Sequence, residues 1–399
     1  MISYGRQTIE ADDIEAVVKV LASGMLTQGP VVEEFERKLA AYTGAKYAVV
    51  CANGTAALHL ACKAAGLGPG DKVLTTPLTF LATANAALYV GAAPVFVDID
   101  PDTLNIDFRE AEKKVMADHA IKAMIPVHFA GSPFDVEEAA RISRQKNLIL
   151  IEDACHALGA SWTDSAGEVR KVGSSSHSDM TVFSFHPVKS ITTGEGGAIT
   201  TNSRRLHERL TALRAHGVIK DPARLFNPEG LPWYYEMQDL GFNYRLTDMQ
   251  SALGVSQLNK LDKFIARRKE ISSLYGRLLS KYPFIKTPVA AHGCESAWHL
   301  YPVRIDFNEV GASKKEFFEL MKSIGINLQV HYIPVHLQPY YRALGFKPGD
   351  FPAAESFYSE EVSLPIYPLL ADEEAGAVVE ALLSTLACAS VKPRKALAI

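Results

Sequence analysis

Two rhythms of apolar and polar positions alternate through the first half of this chain. Short runs rich in β-branched and apolar residues recur at Tyr47–Cys51, Lys72–Thr76, Ala93–Asp98, Ala123–His128, Asn147–Ile151, Thr181–Phe185 and Gly197–Thr201, and each reads as a strand. Stretches with helical character separate them: the alanine-rich run after Thr55, Asp107 to His119, Phe134 to Lys146 and a basic one from Ser203 to His216. This alternation predicts an α/β fold built on a doubly wound, mostly parallel sheet. Upstream, an acid-rich helix from about Glu10 to Ser23 is stopped by Gly24, and the loop Met25–Pro30 leads into a second helix near Val31 to Ala41.

Downstream the rhythm changes. Gly217 to Glu236 is Pro-rich and aromatic and reads as a long loop. Thr247 or Asp248 can then cap a helix running toward Lys260. From Leu261 a long charged helix is followed by the strand-like Leu300–Ile305. We therefore expect a large domain over residues 1–250 and a smaller α+β domain over 251–399, with Lys392–Lys395 in a mobile tail.

At 399 residues the chain exceeds the usual size of one core, which agrees with two units. A net charge of −4 with both signs mixed points away from nucleic acid and membrane surfaces as partners. Five cysteines without paired spacing predict a reducing compartment and neither a disulfide framework nor a metal site. No long apolar run or apolar signal core is present, so a cytoplasmic location is expected.

Three stretches carry chemistry. In Ser184-Phe185-His186-Pro187-Val188-Lys189-Ser190-Ile191-Thr192-Thr193-Gly194-Glu195-Gly196-Gly197, proline and glycine constrain a loop that presents Lys189. A lysine so held can be desolvated, become neutral and form a Schiff base, although a surface turn is the plain alternative. The second stretch, Leu148-Ile149-Leu150-Ile151-Glu152-Asp153-Ala154-Cys155-His156, reads as a buried parallel strand with Asp153 at its carboxyl edge. There it either caps a helix or faces a ligand. Cys155-His156 has no second Cys or His at ligand spacing, so a stacking or hydrogen-bonding histidine is expected. The third is Asn53-Gly54-Thr55-Ala56, where a strand passes into a helix whose first amides and the Thr55 hydroxyl can hold a phosphate. Gly66-Leu67-Gly68-Pro69-Gly70 follows a helix rather than a strand, which makes it a turn and not a dinucleotide-binding loop.

Phosphate cup, carboxylate and loop lysine in this order, with Gly24–Pro30, Thr76–Asn85, Gly241–Arg245 and Gln329–Tyr332, make the chain resemble the DegT/DnrJ/EryC1/StrS sugar-nucleotide aminotransferases along nearly its whole length. The resemblance implies the type I aminotransferase fold and pyridoxal 5′-phosphate as cofactor. It implies that Lys189 binds the cofactor and moves protons, that Asp153 pairs with the ring nitrogen, and that His156 contacts the ring or its O3′. Phe80 would stack on the ring, and Gly54, Thr55, Ala56 and Ser184 would hold the phosphate with Asn243 of a neighbouring chain, in a homodimer with shared sites. Tyr4, Gly24, Met25, Leu26, Thr27 and His331 would lie near the sugar nucleotide, and L-glutamate would be the donor, leaving 2-oxoglutarate. The lysine loop looks most like those of enzymes that aminate C4 of a UDP-linked 4-keto-6-deoxy-N-acetylhexosamine toward pseudaminic acid. A dTDP-linked or 3-keto substrate and a non-catalytic regulatory role are the alternatives. A dehydratase branch that carries His at the lysine position is disfavoured by Lys189. Asn53, where many relatives carry Ser, departs from the pattern.

Overall fold

A computed structural model describes residues 1–227 and 230–390. The expected Lys392–Lys395 tail and two residues of the 217–236 segment lie outside the described residues.

Seven strands form the central sheet: β1 (Tyr47–Cys51), β2 (Lys72–Thr75), β3 (Ala93–Phe96), β4 (Ile121–Ile125), β5 (Ile149–Asp153), β6 (Met180–Ser184) and β7 (Gly197–Thr201). Their spatial order is β1-β7-β6-β5-β4-β2-β3. Only β7 runs against its neighbours, pairing antiparallel with both β1 and β6. The strands are mostly apolar because helices cover both faces. Val50, Leu74, Met124, Leu150 and Phe183 join one buried cluster, while Val49, Val73, Ala123, Ile151 and Val182 join the cluster on the other side. Because β5 and β6 run parallel, their carboxyl ends, and with them Asp153 and Ser184, lie along one edge of the sheet.

The C-terminal part has its own core, built on the antiparallel strands Ile285–Lys286, Tyr301–Ile305 and Glu361–Leu364. Helices Leu261–Leu279, Lys314–Ser323 and Asp372–Ser390 pack there, contributing Ile271, Tyr275, Phe317 and Val378. Val362 and Leu364 point into this core, so Glu361 and Ser363 belong to the opposite face of their strand. Residue 251 lies inside the helix Asp248–Leu258. Leu258, Leu261 and Phe264 still pack in the large-domain cluster, whereas Ile271 and Tyr275 pack in the C-terminal one, so we propose that the helix Leu261–Leu279 joins the two domains.

The N-terminal arm crosses to this second unit. The Ile2 amide donates to Gly325 O at 2.8 Å, Asn327 N to Ile2 O at 2.8 Å and Ile366 N to Tyr4 O at 3.1 Å. Within the segment read as a plain loop, Val218–Ile219 pairs with Glu236–Met237, and the Glu236 carboxylate accepts from the amides of Phe226 at 2.8 Å and Asn227 at 2.7 Å. Pairing only two residues long leaves no periodicity to read. Among the described residues, no helix is long and apolar enough to cross a membrane.

Candidate active site

A cleft of about 660 Å³ opens where the carboxyl ends of β5 and β6 meet the helix Gly54–Ala65 and the segment 329–333. Tyr4, Gly54, Thr55, Phe80, Asp153, His156, Ser184, Lys189 and His331 all line it.

The loop after β6 folds back on itself through Phe185 N to Gly196 O at 2.8 Å and Thr193 N to Phe185 O at 3.0 Å. A Cβ on Gly196 would lie 2.1 Å from Thr193 Oγ1, so glycine is required for this closeness. Lys189 emerges half-buried from that loop. Burial lowers its pKa, opposed by the charges of Cys155 and Asp153. Its Nζ lies 3.5 Å from Nε2 of His299.

Asp153 is 4% exposed and held on both oxygens. Thr83 Oγ1 donates to Oδ2 at 2.6 Å and the Cys155 amide to Oδ1 at 3.1 Å. Thr83 in turn meets Thr79 at 2.7 Å. These contacts fix the carboxylate while leaving lone pairs for a further donor.

Three neutral histidines surround the lysine. Burial, followed by the charge of Lys189, depresses the pKa of His156 and His299 well below the usual range and that of His331 to about 3. His156 Nε2 lies 2.9 Å from the Tyr332 hydroxyl, while Nδ1 of His156 and Nδ1 of His299 are buried with no partner among the described residues. Phe80 is 54% exposed and tilts toward Tyr332, with ring centroids 6.0 Å apart. It is an open face rather than core.

The helix starting at Gly54 is capped by Asn53, whose Oδ1 accepts from Ala56 N at 2.8 Å. The Ala56 amide, expected to help hold phosphate, is engaged by this cap contact. Gly54 and Thr55 amides, in the first turn, have no intrahelical acceptor. A Cβ on Gly54 would stand 2.9 Å from Ser184 Cβ, so only glycine lets the Ser184 hydroxyl approach the helix start. Free first-turn amides, two hydroxyls, a fixed carboxylate, a desolvated lysine and an unpartnered imidazole nitrogen together fit a phosphorylated heteroaromatic aldehyde.

The remaining expected positions do not line the cleft within one chain. Asn243 is exposed, and its Oδ1 accepts from Arg245 Nε at 3.0 Å. Gly24, Met25, Leu26 and Thr27 are exposed; Leu26 O accepts from Asp248 N at 3.0 Å, and Thr27 bridges to Thr247. Conversely, His299, Thr83 and Tyr332 were not singled out from the sequence. Thr79 lies just before the N-cap Phe80 and Thr83 in the first turn of the helix Leu81–Tyr89, and His299 reaches the lysine from 110 residues away with no local signal.

The model of the DegT/DnrJ/EryC1/StrS aminotransferase family matches residues 7–383. The UDP-4-amino-4,6-dideoxy-N-acetyl-beta-L-altrosamine transaminase of Campylobacter jejuni is 40% identical over 388 residues, covering 97% of this chain and 98% of that one. Helicobacter pylori PseC, an aminotransferase involved in the biosynthesis of pseudoaminic acid, superposes with a TM-score of 0.87 at 33% identity, over 96% of this chain and 99% of that one. The PLP-form of Spr1654 from Streptococcus pneumoniae gives 0.86 at 29% identity, over 96% and 98%.

Proposed function

Since the chain belongs to the DegT/DnrJ/EryC1/StrS aminotransferase family, a family of PLP-dependent sugar aminotransferases, we propose that it moves an amino group from L-glutamate to C4 of a UDP-linked 4-keto-6-deoxy-N-acetylhexosamine. The observation that carries this reading is the meeting of Lys189, Asp153 and the Gly54–Thr55 helix start in one cleft. The 40% identity to the altrosamine transaminase supports the choice of sugar.

Pyridoxal phosphate, when bound, supplies an electron sink for the carbanion at the donor's Cα. Gly54, Thr55 and Ser184 would hold its phosphate, Asp153 would keep the ring nitrogen protonated, and His156, Tyr332 and Phe80 would bound the ring. Lys189 takes the proton from Cα of glutamate. Later it delivers a proton to C4 of the sugar. Taking the proton needs a neutral amine, which desolvation favours, and the ammonium so formed is the donor for the later delivery.

The test is amino transfer from glutamate to a panel of UDP- and dTDP-linked 4-keto and 3-keto sugars, with the product's amino position read by NMR. Turnover is expected with the UDP-linked 4-keto-6-deoxy-N-acetylhexosamine. A preference for a dTDP-linked or 3-keto substrate overturns the assignment of the sugar but not of the reaction.

A further inference from the structure

One side chain at the cleft wall is supported by a buried polar chain that the reaction does not itself explain. His331 is 6% exposed and lines the cleft beside Tyr4, whose ring lies 5.3 Å away. Its Nδ1 is 2.8 Å from Ser363 Oγ. Ser363 Oγ donates to Glu361 Oε1 at 2.6 Å, and the other carboxylate oxygen accepts from the His331 backbone amide at 3.0 Å. Glu361 is fully buried.

A buried carboxylate is costly unless its lone pairs are met. An apolar residue would suffice at a face packed only for stability, and the same strand places Val362 and Leu364 in the core on its other face. Burial pushes the Glu361 carboxyl up to about 8, while the Ser363 and His331 donors and the charge of Lys314 favour the ionised form. As a carboxylate, Glu361 can only accept. Ser363 must then give its proton to Glu361, which leaves its oxygen as an acceptor for His331. The imidazole proton is thereby assigned to Nδ1, and the lone pair to Nε2 on the cleft side.

We propose that Ser363 and the ionised Glu361 are positioning residues that lock His331 in the Nδ1–H tautomer, so that Nε2 accepts a hydrogen bond from a hydroxyl or amide N–H of the bound sugar nucleotide. The assignment of the ligand rests on the proposed function; the tautomer does not. A site of this kind selects for a donor group on the sugar and discriminates against an analogue that lacks it, because the buried acceptor is then left unmet.

The experiment uses the PLP-loaded protein at pH 8.5, above the value for Glu361, with ¹⁵N-labelled histidine and His331→Gln to assign the signal. Wild type is expected to show a protonated Nδ1 and an unprotonated Nε2 at His331. Ser363→Ala and Glu361→Gln should lose that signature and raise KM for the keto-sugar nucleotide about tenfold, the scale of one hydrogen bond to a buried group, with kcat changed less than about twofold. Ser363→Thr, which keeps the hydroxyl, should restore both signature and KM. An Nε2–H tautomer in wild type, or Ser363→Ala with unaltered signature and KM, overturns the proposal. If no keto-sugar is turned over, the substrate reading fails while the ¹⁵N spectra still decide whether the lock exists. Thermal melting of each variant separates a loosened fold from a loosened histidine.

Discussion

The amine of Lys189 and the carboxylate of Asp153 define what the other residues of the cleft can contribute. Lys189→Arg keeps the charge but stays protonated, so it cannot bond covalently to the cofactor or take the proton from Cα. The variant is expected to fold and to give no transamination and no borohydride-fixed cofactor; measurable turnover would refute the role. Asp153→Asn keeps size and loses charge. Cofactor should still bind, with the rate of the glutamate half-reaction down about three orders of magnitude, as for other preorganised electrostatic groups. A loss below tenfold counts against the pairing. Both positions were legible in the sequence because each sits at a fixed place in its own element: a glycine-bounded loop and the end of an apolar strand. His299 was not, since only tertiary packing brings it to the lysine, and neither the residue nor its neighbours carry a local pattern. Asn53 looked like a departure from the family pattern, and its amide oxygen caps the helix.

Elements explain why the cup at the helix start tolerates so little. Asn53→Ala removes the cap and should cost about 1 kcal/mol of stability, read from the urea midpoint. Gly54→Ala places a methyl 2.9 Å from Ser184 Cβ, a clash of the kind that costs about 1–3 kcal/mol. It should weaken cofactor binding about tenfold or more by equilibrium titration, whereas Asn53→Ala, remote from the collision, should weaken it less. The strands of the central sheet were readable from sequence because burial on both faces makes them mostly apolar, with helices at regular intervals. The short pairings Ser161–Thr163 with Val169–Lys171 and Cys294–Glu295 were not, being held by neighbours rather than by their own pattern. The helix boundaries shifted by a residue or two, as at Ala11–Leu21 against Glu10 to Ser23.

For the whole molecule, the three neutral histidines link stability to pH. Their folded pKa values lie below the ordinary 6.5, so the unfolded chain binds their protons first. Their contribution is present above pH 6.5 and is lost as pH falls toward the folded values. At pH 5.5, unfolding in urea should take up close to three protons from these residues, and His331→Gln should reduce the uptake by about one in potentiometric titration. Unchanged uptake in that variant would show that His331 is already charged when folded. Assembly offers a second test, because exposed Asn243 can serve a cofactor only across an interface. Co-expressing Lys189→Ala with Asn243→Trp should restore part of the activity, since a mixed dimer concentrates both lesions in one site and leaves the other intact; no recovery would confine Asn243 to its own chain. Finally, the arm that pairs Ile2 with residues 325–327 has a consequence for synthesis. At roughly 5–20 residues per second, Ile2 waits between roughly a quarter of a minute and a minute for its partners to leave the ribosome. Tyr4, which the arm carries to His331, therefore reaches the cleft late, and a nascent chain halted before residue 325 should carry an arm that proteases cut while the β1–β7 sheet already resists them.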